Sequence, residues 1–286
     1  MLVDFHIHTA RCNHATGTLE EYIERAQALG LAELGISDHS YWMLQDPGRH
    51  LAMWPEETAK YVADVRRTQA RFNREGEHPF HVRLGLEMDY IPSRLEAARE
   101  VIGGYAWDFL IGSIHNLGLW EINDPDEIEN FKLHHIEDIC ELYFHMLGQM
   151  VRERFCDVIA HLDLPKKFGH RPPGGFLPWI EPLVPAIKQA GMAVEINTSG
   201  RDCLAGEIFP GWDVVETLAL AGVPLTLGSD AHAPEQVGRY FAETLKNLHC
   251  LGVREIARFE QRRMILAPLD EGVPSGAGPV QRKAGD

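Results

Sequence analysis

Short apolar runs alternate with longer amphipathic stretches along most of this chain. Most of the intervening stretches carry apolar residues at helical spacing, as in PEETAKYVADVRRTQARF and IEDICELYFHMLGQMVRERF. Strands that alternate with helices predict an α/β fold with a parallel sheet. Seven strand-like runs favour a barrel over an open sheet: LVDFHIH, LAELGISDH, FHVRLGLEMDYI, WDFLIGSIH, CDVIAHLD, MAVEINTS and VPLTLGSDAH.

The same pattern predicts where elements and the domain end. Thr18 with Glu21, and Ser93 with Glu96, have the spacing of capping boxes at helix starts, and Gly30 would end the first of these helices. The C-terminal stretch is rich in Gly and Pro and lacks apolar periodicity. The sequence therefore predicts one domain over residues 1–268 and a flexible tail over residues 269–286.

Composition narrows the class of protein. The 286 residues are 45% hydrophobic, which is enough for a sizeable core, and the formal net charge of −15 disfavours broad binding to nucleic acid or to anionic membranes. No signal peptide and no apolar run long enough to cross a membrane is present. The five cysteines are scattered and odd in number, as expected of reduced thiols, so we expect a cytoplasmic protein.

Ligand-type side chains stand at six of the seven predicted strand ends. Because side chains alternate along a strand, His6 and His8 face the same side. In α/β barrels the C-terminal strand ends meet on one face, so we expect these residues to share one pocket, with His14 joining from the first loop. The strand-end residues are His6 and His8, Asp38 and His39, Glu87 and Asp89, His115, His161 and Asp163, and Asp230 and His232.

Taken in order, DFHIHT, His14, SDH, GLEMDY, GSIH, AHLD and GSDAH resemble the PHP (polymerase and histidinol phosphatase) family from Met1 to about Pro268. The resemblance implies a distorted (β/α)7 barrel with up to three metal ions at the C-terminal strand ends. Sites rich in imidazole suit Zn, Mn or Fe better than Ca or Mg. The implied ligands are His6, His8, Glu87 and Asp230 for one ion, Glu87, His115 and His161 for a second, and His14, His39 and His232 for a third.

The predicted cluster of divalent ions indicates a reaction. Two ions about 3.5–4 Å apart can hold a bridging hydroxide and clamp a phosphate. We therefore expect a phosphomonoesterase that uses two or three divalent ions and no nucleophilic serine, since the G-x-S-x-G motif is absent. Asp230 and His232, next to the metals, are candidates to relay a proton to the leaving group.

A subgroup of PHP phosphatases acting on L-histidinol phosphate resembles the chain beyond its metal ligands, at FLIGSIHNLGLW, HLDLPKKF, EINTSGR, EIFP and GSDAHAPEQVG. This implies hydrolysis to L-histidinol and phosphate in histidine biosynthesis. Arg201 and Lys166 are predicted to bind the substrate, with Asn197 and Ser199 as further hydrogen-bonding candidates. Two features depart from the subgroup: its arginine often stands one residue further from TSG, and HNLGLWEIN lacks an expected acidic residue, with Asn123 near that place.

Other functions remain open at this stage. The nearest alternative is a PHP phosphoesterase for another small phosphate ester or a nucleotide. A proofreading-type nuclease is disfavoured because the chain is acidic and has no basic groove. A metal-binding or regulatory barrel without activity is disfavoured by the complete ligand set. Amidohydrolase barrels also begin with H-x-H, but they need a bridging lysine and eight strands.

Overall fold

The computed structural model describes residues 1–40, 51–76 and 79–270. Its first sheet contains three parallel strands, β1 (Val3–Ile7), β2 (Glu33–Ile36) and β3 (His81–Leu84), in that order. After two further residues the chain continues as β4 (Glu87–Asp89), which belongs to a second sheet. The third predicted strand is therefore one bent run that the two sheets share.

The second sheet is also parallel and takes up the remaining predicted strands. Its order is β4-β5-β8-β9-β10, and a short antiparallel hairpin, β6 with β7, follows β5. The added strands are β5 (Ile111–Ser113), β6 (Asn116–Leu117), β7 (Trp120–Glu121), β8 (Val158–Ile159), β9 (Ala193–Asn197) and β10 (Leu225–Gly228).

The two sheets meet at one junction through Glu87, the first residue of β4. Its backbone N–H donates to Asp38 O at 3.1 Å, and its carbonyl accepts from Ser40 N at 2.9 Å. Asp38 and Ser40 follow β2. The stretch after β2 thus pairs with β4, while β2 itself pairs with β3.

At the other junction, residues around the end of β1 pair with residues after β10. His8 N donates to Ala231 O at 2.9 Å, and Ala231 N donates to His6 O at 3.1 Å. The strands thus follow the predicted seven-unit order, with irregular pairing at both junctions. The α/β fold and its distorted barrel arrangement are confirmed, and both irregular junctions carry predicted metal ligands.

Helices follow most of the strands. The box at Thr18 is confirmed, because Thr18 N donates to Glu21 Oε2 at 2.7 Å and Glu21 N donates to Thr18 Oγ1 at 3.3 Å. The predicted capping box at Ser93 is wrong. Pro92, whose fixed φ suits a first turn, starts a 3-10 turn that contains Ser93, and α3 begins only at Leu95. The helices are α1 (Leu19–Ala28), α2 (Thr58–Phe72), α3 (Leu95–Gly104), α4 (Ile136–Arg152), α5 (Leu177–Ile180), α6 (Val184–Ala190), α7 (Trp212–Leu220) and α8 (Phe241–Cys250).

A C-terminal antiparallel hairpin, β11 (Glu255–Glu260) with β12 (Arg263–Pro268), was not predicted. It packs at the N-terminal ends of the barrel strands, where Arg262 N donates to Asp108 O and Thr226 Oγ1 donates to Ala257 O, both at 2.9 Å. The single domain over residues 1–268 stays a prediction, and residues 271–286 of the predicted tail lie outside the described residues.

An aromatic cluster joins the first sheet to this hairpin. The ring of Phe5 lies edge-on to Phe109 and Phe259, with centroids 4.9 and 5.7 Å away. Gly85 must lack a side chain, because a Cβ there would stand 2.2 Å from the Phe109 ring. The core thus fills the space beneath the bend between the sheets. Among the described residues, no helix combines the length and apolarity needed to cross a membrane.

Candidate metal centre

The first predicted ligand set lies at the junction between β1 and β10. His6 Nε2 is 3.1 Å from Glu87 Oε2 and 3.8 Å from Asp230 Oδ1. His8 Nε2 is 3.1 Å from Asp230 Oδ1 and 3.6 Å from Glu87 Oε2. Two imidazoles and two carboxylates thus converge in a buried position, as one metal ion would require.

The second set uses the other oxygen of Glu87. His161 Nε2 lies 3.2 Å, and His115 Nε2 3.7 Å, from Glu87 Oε1, and the two ring nitrogens are 3.3 Å apart. The two oxygens of Glu87 therefore face different groups of histidines. A carboxylate placed in this way could hold two ions, one at each oxygen.

The third set borders the first. The ring of His14 is centred 4.5 Å from His232 and 5.5 Å from His39, and His8 stacks on both His39 and His232 at 4.2 and 4.1 Å. Cys12 also lies close to His14 and His232, but burial raises the pKa of its thiol well above the usual value. The histidines remain the better ligand candidates.

A second layer of carboxylates orients two of the ligands. His6 Nδ1 donates to Glu195 Oε1 at 2.6 Å, and His115 Nδ1 lies 2.7 Å from Asp89 Oδ1. Such pairs leave the opposite ring nitrogen, Nε2, to face the metal. Sequence reasoning missed Glu195, although a carboxylate in the middle of the apolar run MAVEINTS was the available signal.

Buried imidazole nitrogens without hydrogen-bond partners make this cluster suitable for metal ions. His8 Nε2 and His232 Nε2 are buried and have no hydrogen-bond partner among the described residues. Burial, aided by neighbouring histidines, lowers the pKa of each of these imidazoles to about 3. They are therefore neutral with free lone pairs, which is the form that binds a metal.

Two ligand candidates adopt backbone conformations that most side chains avoid. The φ angle is +22° at His161 and +52° at Asp230. A non-glycine residue in the left-handed region costs roughly 1–2 kcal/mol, and such strain tends to occur at functional sites. The Asp230 carboxylate is held by hydrogen bonds to Oδ2, which accepts from Ser199 Oγ at 3.2 Å and from Asn197 Nδ2 at 3.3 Å.

The structure places Lys166 outside the cavity. Its ammonium is fully buried and lies 2.6 Å from Asp163, 2.9 Å from Glu207 and 2.8 Å from Ile208 O. All three N–H groups have protein partners, so the expected substrate contact at Lys166 lacks a free donor. The adjacent Lys167 lines the cavity instead.

Arg201 also turns away from the cavity. It pairs with Glu243 at 2.6 Å and lies over the ring of Tyr240. The guanidinium at the cavity wall belongs to Arg239, which directly follows the GSDAHAPEQVG motif and which sequence reasoning missed. Arg239 brings positive charge to the cavity wall, and each of its three nitrogens already donates to a protein oxygen.

The ligand sets line a cavity of about 240 Å³. A larger surface cleft, of about 720 Å³, lies beside α1 and α2. None of the described residues that line it is a histidine, and its Arg11 and Arg67 both pair with Asp64. The smaller cavity therefore holds the chemistry. Beyond the ligands it is lined by Asn123, Lys167, Ser199, Asp202, Phe209 and Arg239, among others.

A family model described as the PHP domain matches residues 4–199. This chain belongs to the PHP family. The match contains most of the predicted ligands, and the remaining two, Asp230 and His232, lie beyond it in GSDAH. The PHP assignment and the clustered donors agree on divalent metal ions as cofactors.

Proteins similar to this PHP chain include a "Probable histidinol-phosphatase" of Deinococcus radiodurans, 34% identical over 92% of this chain and 98% of that protein. The histidinol-phosphatase of Bacillus subtilis is 27% identical over 82% of this chain and 95% of that protein. The crystal structure of a Lactococcus lactis histidinol phosphate phosphatase, complexed with zinc, L-histidinol and phosphate, has a TM-score of 0.74. It is 21% identical and covers 92% of this chain and 98% of that one. That structure supports the fold.

Proposed function

We propose that this PHP protein is a metal-dependent phosphomonoesterase that hydrolyses L-histidinol phosphate to L-histidinol and phosphate. The observation that carries the proposal is Glu87, whose two oxygens face separate histidine groups in one buried cluster. Relatives that cover nearly the whole chain are named histidinol-phosphatases, which supports the substrate. The predicted ligand sets belong to this proposal.

When bound, divalent ions supply Lewis-acid stabilisation of a phosphoryl group and lower the pKa of water. The protein's own contribution begins with charge at the cavity wall. Lys167 and Arg239 line the cavity and offset part of its carboxylate charge. A phosphate dianion therefore enters a cavity whose wall carries positive charge from these two side chains.

Asp230 is the proposed proton relay. Its pKa, which burial alone would raise, is held well below the ordinary value by the histidines around it, so it is a carboxylate at neutral pH. Oδ2 is oriented by Ser199 and Asn197 and could take a proton from water and return it to the leaving alkoxide. His232, whose Nδ1 is tied to the Asp230 carbonyl at 3.0 Å, fits a ligand role better.

The cavity also suits the organic part of the substrate. An adjoining recess of about 50 Å³ is lined by Glu121 and Asn123, as well as by ligand residues. L-Histidinol phosphate carries an ammonium and an imidazole, and Glu121 supplies a carboxylate for such groups.

We also propose a cytoplasmic location, since a biosynthetic activity on a small phosphorylated compound fits a chain whose five cysteines are free.

The first prediction is metal-dependent turnover. Purified protein stripped with a chelator should lose hydrolysis of L-histidinol phosphate, and Zn, Mn or Fe should restore it. Released phosphate is measured for this substrate, for an aryl phosphate and for a nucleoside monophosphate. Full activity in protein shown to be metal-free contradicts the proposal. Preference for another ester keeps the metal chemistry and replaces the substrate.

A further inference from the structure

The corner that follows β10 is held by one guanidinium. Arg239 Nε donates to Ser229 O at 2.9 Å, and Arg239 Nη2 donates to Asp230 O at 2.9 Å. These two carbonyls flank the left-handed residue Asp230, whose φ is +52°. The guanidinium carries its donors on three nitrogens in a rigid plane, whereas an ammonium carries all of its donors on one atom and has no fixed fork.

The guanidinium is itself fixed. Arg239 Nη1 donates to Asp202 Oδ2 at 2.9 Å, and the side chain is only 16% exposed. The Asp230 carbonyl that Arg239 binds also accepts from His232 Nδ1 at 3.0 Å. Arg239 and His232 therefore share one acceptor, and that acceptor sets which ring nitrogen of His232 remains free.

We propose that Arg239 is a positioning residue that holds the Asp230 corner and so aims both Asp230 and His232 at the metal centre. This inference rests on the proposed metal-dependent function. It adds that a residue outside the ligand set determines how well Asp230 and His232 hold metal. The Glu87, His115 and His161 group takes no part in this corner. Loss of Arg239 should therefore weaken part of the metal complement and spare the rest.

The test measures metal binding without substrate. Metal-free Arg239→Gln, Arg239→Lys and wild-type protein are titrated with Co²⁺, followed by absorption spectra and by elemental analysis after dialysis. Loss of an outer-layer partner typically lowers metal affinity by about 10–100-fold. In Arg239→Gln we expect that loss for the ions that Asp230 and His232 would hold, with retention of at least one ion. Arg239→Lys should resemble Gln, because a single ammonium nitrogen cannot take the three donor positions of Nε, Nη1 and Nη2.

Arg254→Gln is the matched control. Arg254 Nη1 also donates to two backbone carbonyls, those of His249 and Val253, but it lies in the exposed segment after α8. It should bind Co²⁺ as the wild type does. Melting curves of the metal-free proteins show whether each variant is folded. If Arg239→Gln is unfolded, Arg239→Lys is used for the titration.

Wild-type affinity in a folded Arg239 variant overturns the inference, as does an equal loss in Arg254→Gln. An equal loss of every ion in the Arg239 variants would show general damage to the centre and would also overturn it. A wild-type protein that binds no metal would instead overturn the proposed function, so the two failures can be told apart.

Discussion

At the scale of single residues, the predicted ligand candidates lie together in the structure, whereas Lys166 and Arg201 do not line the cavity. Most ligand candidates stand on strands or within four residues after them, so the shared position of the strand ends brings them together, while His14 comes from the first loop. Lys166 and Arg201 lie in the 3-10 turns Leu164–Lys166 and Thr198–Asp202. A shift of one residue there changes the side chain's direction by about a third of a turn, so Lys167 reaches the cavity and Lys166 does not.

The second prediction concerns Glu87. Glu87→Gln keeps the shape of the side chain but removes the charge that two histidine groups share, so bound metal and turnover should fall together. Because Glu87 is a candidate ligand itself, catalytic efficiency should fall by more than about 100-fold, beyond the range for outer-layer partners. Metal per chain is measured by elemental analysis, and turnover by phosphate release.

Glu216→Gln, on the exposed face of α7, is the control for the same chemical change. It should keep both metal and activity. If Glu87→Gln retained the full metal complement, the bridging geometry would have no functional meaning.

At the scale of elements, the strands and the central helices followed from hydrophobic periodicity. Of the missed elements, β6 and β7 have only two residues each, which is too short for a periodic pattern. The helix α8 does carry apolar residues at helical spacing, but it and the hairpin of β11 and β12 follow the seventh predicted strand, where no further strand indicates that the alternation continues. The bend between β3 and β4 was also missed, because one continuous strand-like run does not show which sheet each half joins. Pairing partners depend on contacts distant in sequence.

The third prediction tests how tightly β10 packs on its neighbours. A Cβ at Gly228 would stand 1.9 Å from Glu195 Oε1 and 2.8 Å from His6 Cβ. Gly228→Ala should therefore displace the pair that orients His6, lower the melting temperature and weaken metal binding. Overpacking of this kind costs roughly 1–3 kcal/mol, which thermal unfolding and Co²⁺ titration would detect.

Gly103→Ala gives the opposite expectation. Gly103 lies in the last turn of α3, and no atom stands within 4 Å of its added Cβ. Alanine there should be neutral or stabilise by up to about 1 kcal/mol. Similar losses in the two variants would mean that the effect at Gly228 is not one of close packing.

At the scale of the whole molecule, the two ends of the barrel have different tasks. The C-terminal strand ends carry the metal centre, and the C-terminal hairpin packs at the other end. Beneath it, Glu33 is buried and its Oε1 accepts from Arg83 Nη2 at 2.7 Å and from Arg258 Nη1 at 2.8 Å. In α/β barrels this end serves stability, while the opposite end serves chemistry.

The fourth prediction separates these tasks. Glu33→Gln replaces the carboxylate beside the buried Arg83 guanidinium with a neutral amide. Removing one charge of a buried ion pair lowers the free energy of unfolding by about 3 kcal/mol. The urea midpoint should fall accordingly, while metal content and kcat at a temperature well below melting stay at wild-type levels. Glu24→Gln, exposed on α1, should change neither quantity. A Glu33 variant that kept its stability but lost metal would mean that the two ends are coupled, and the division of tasks would be wrong.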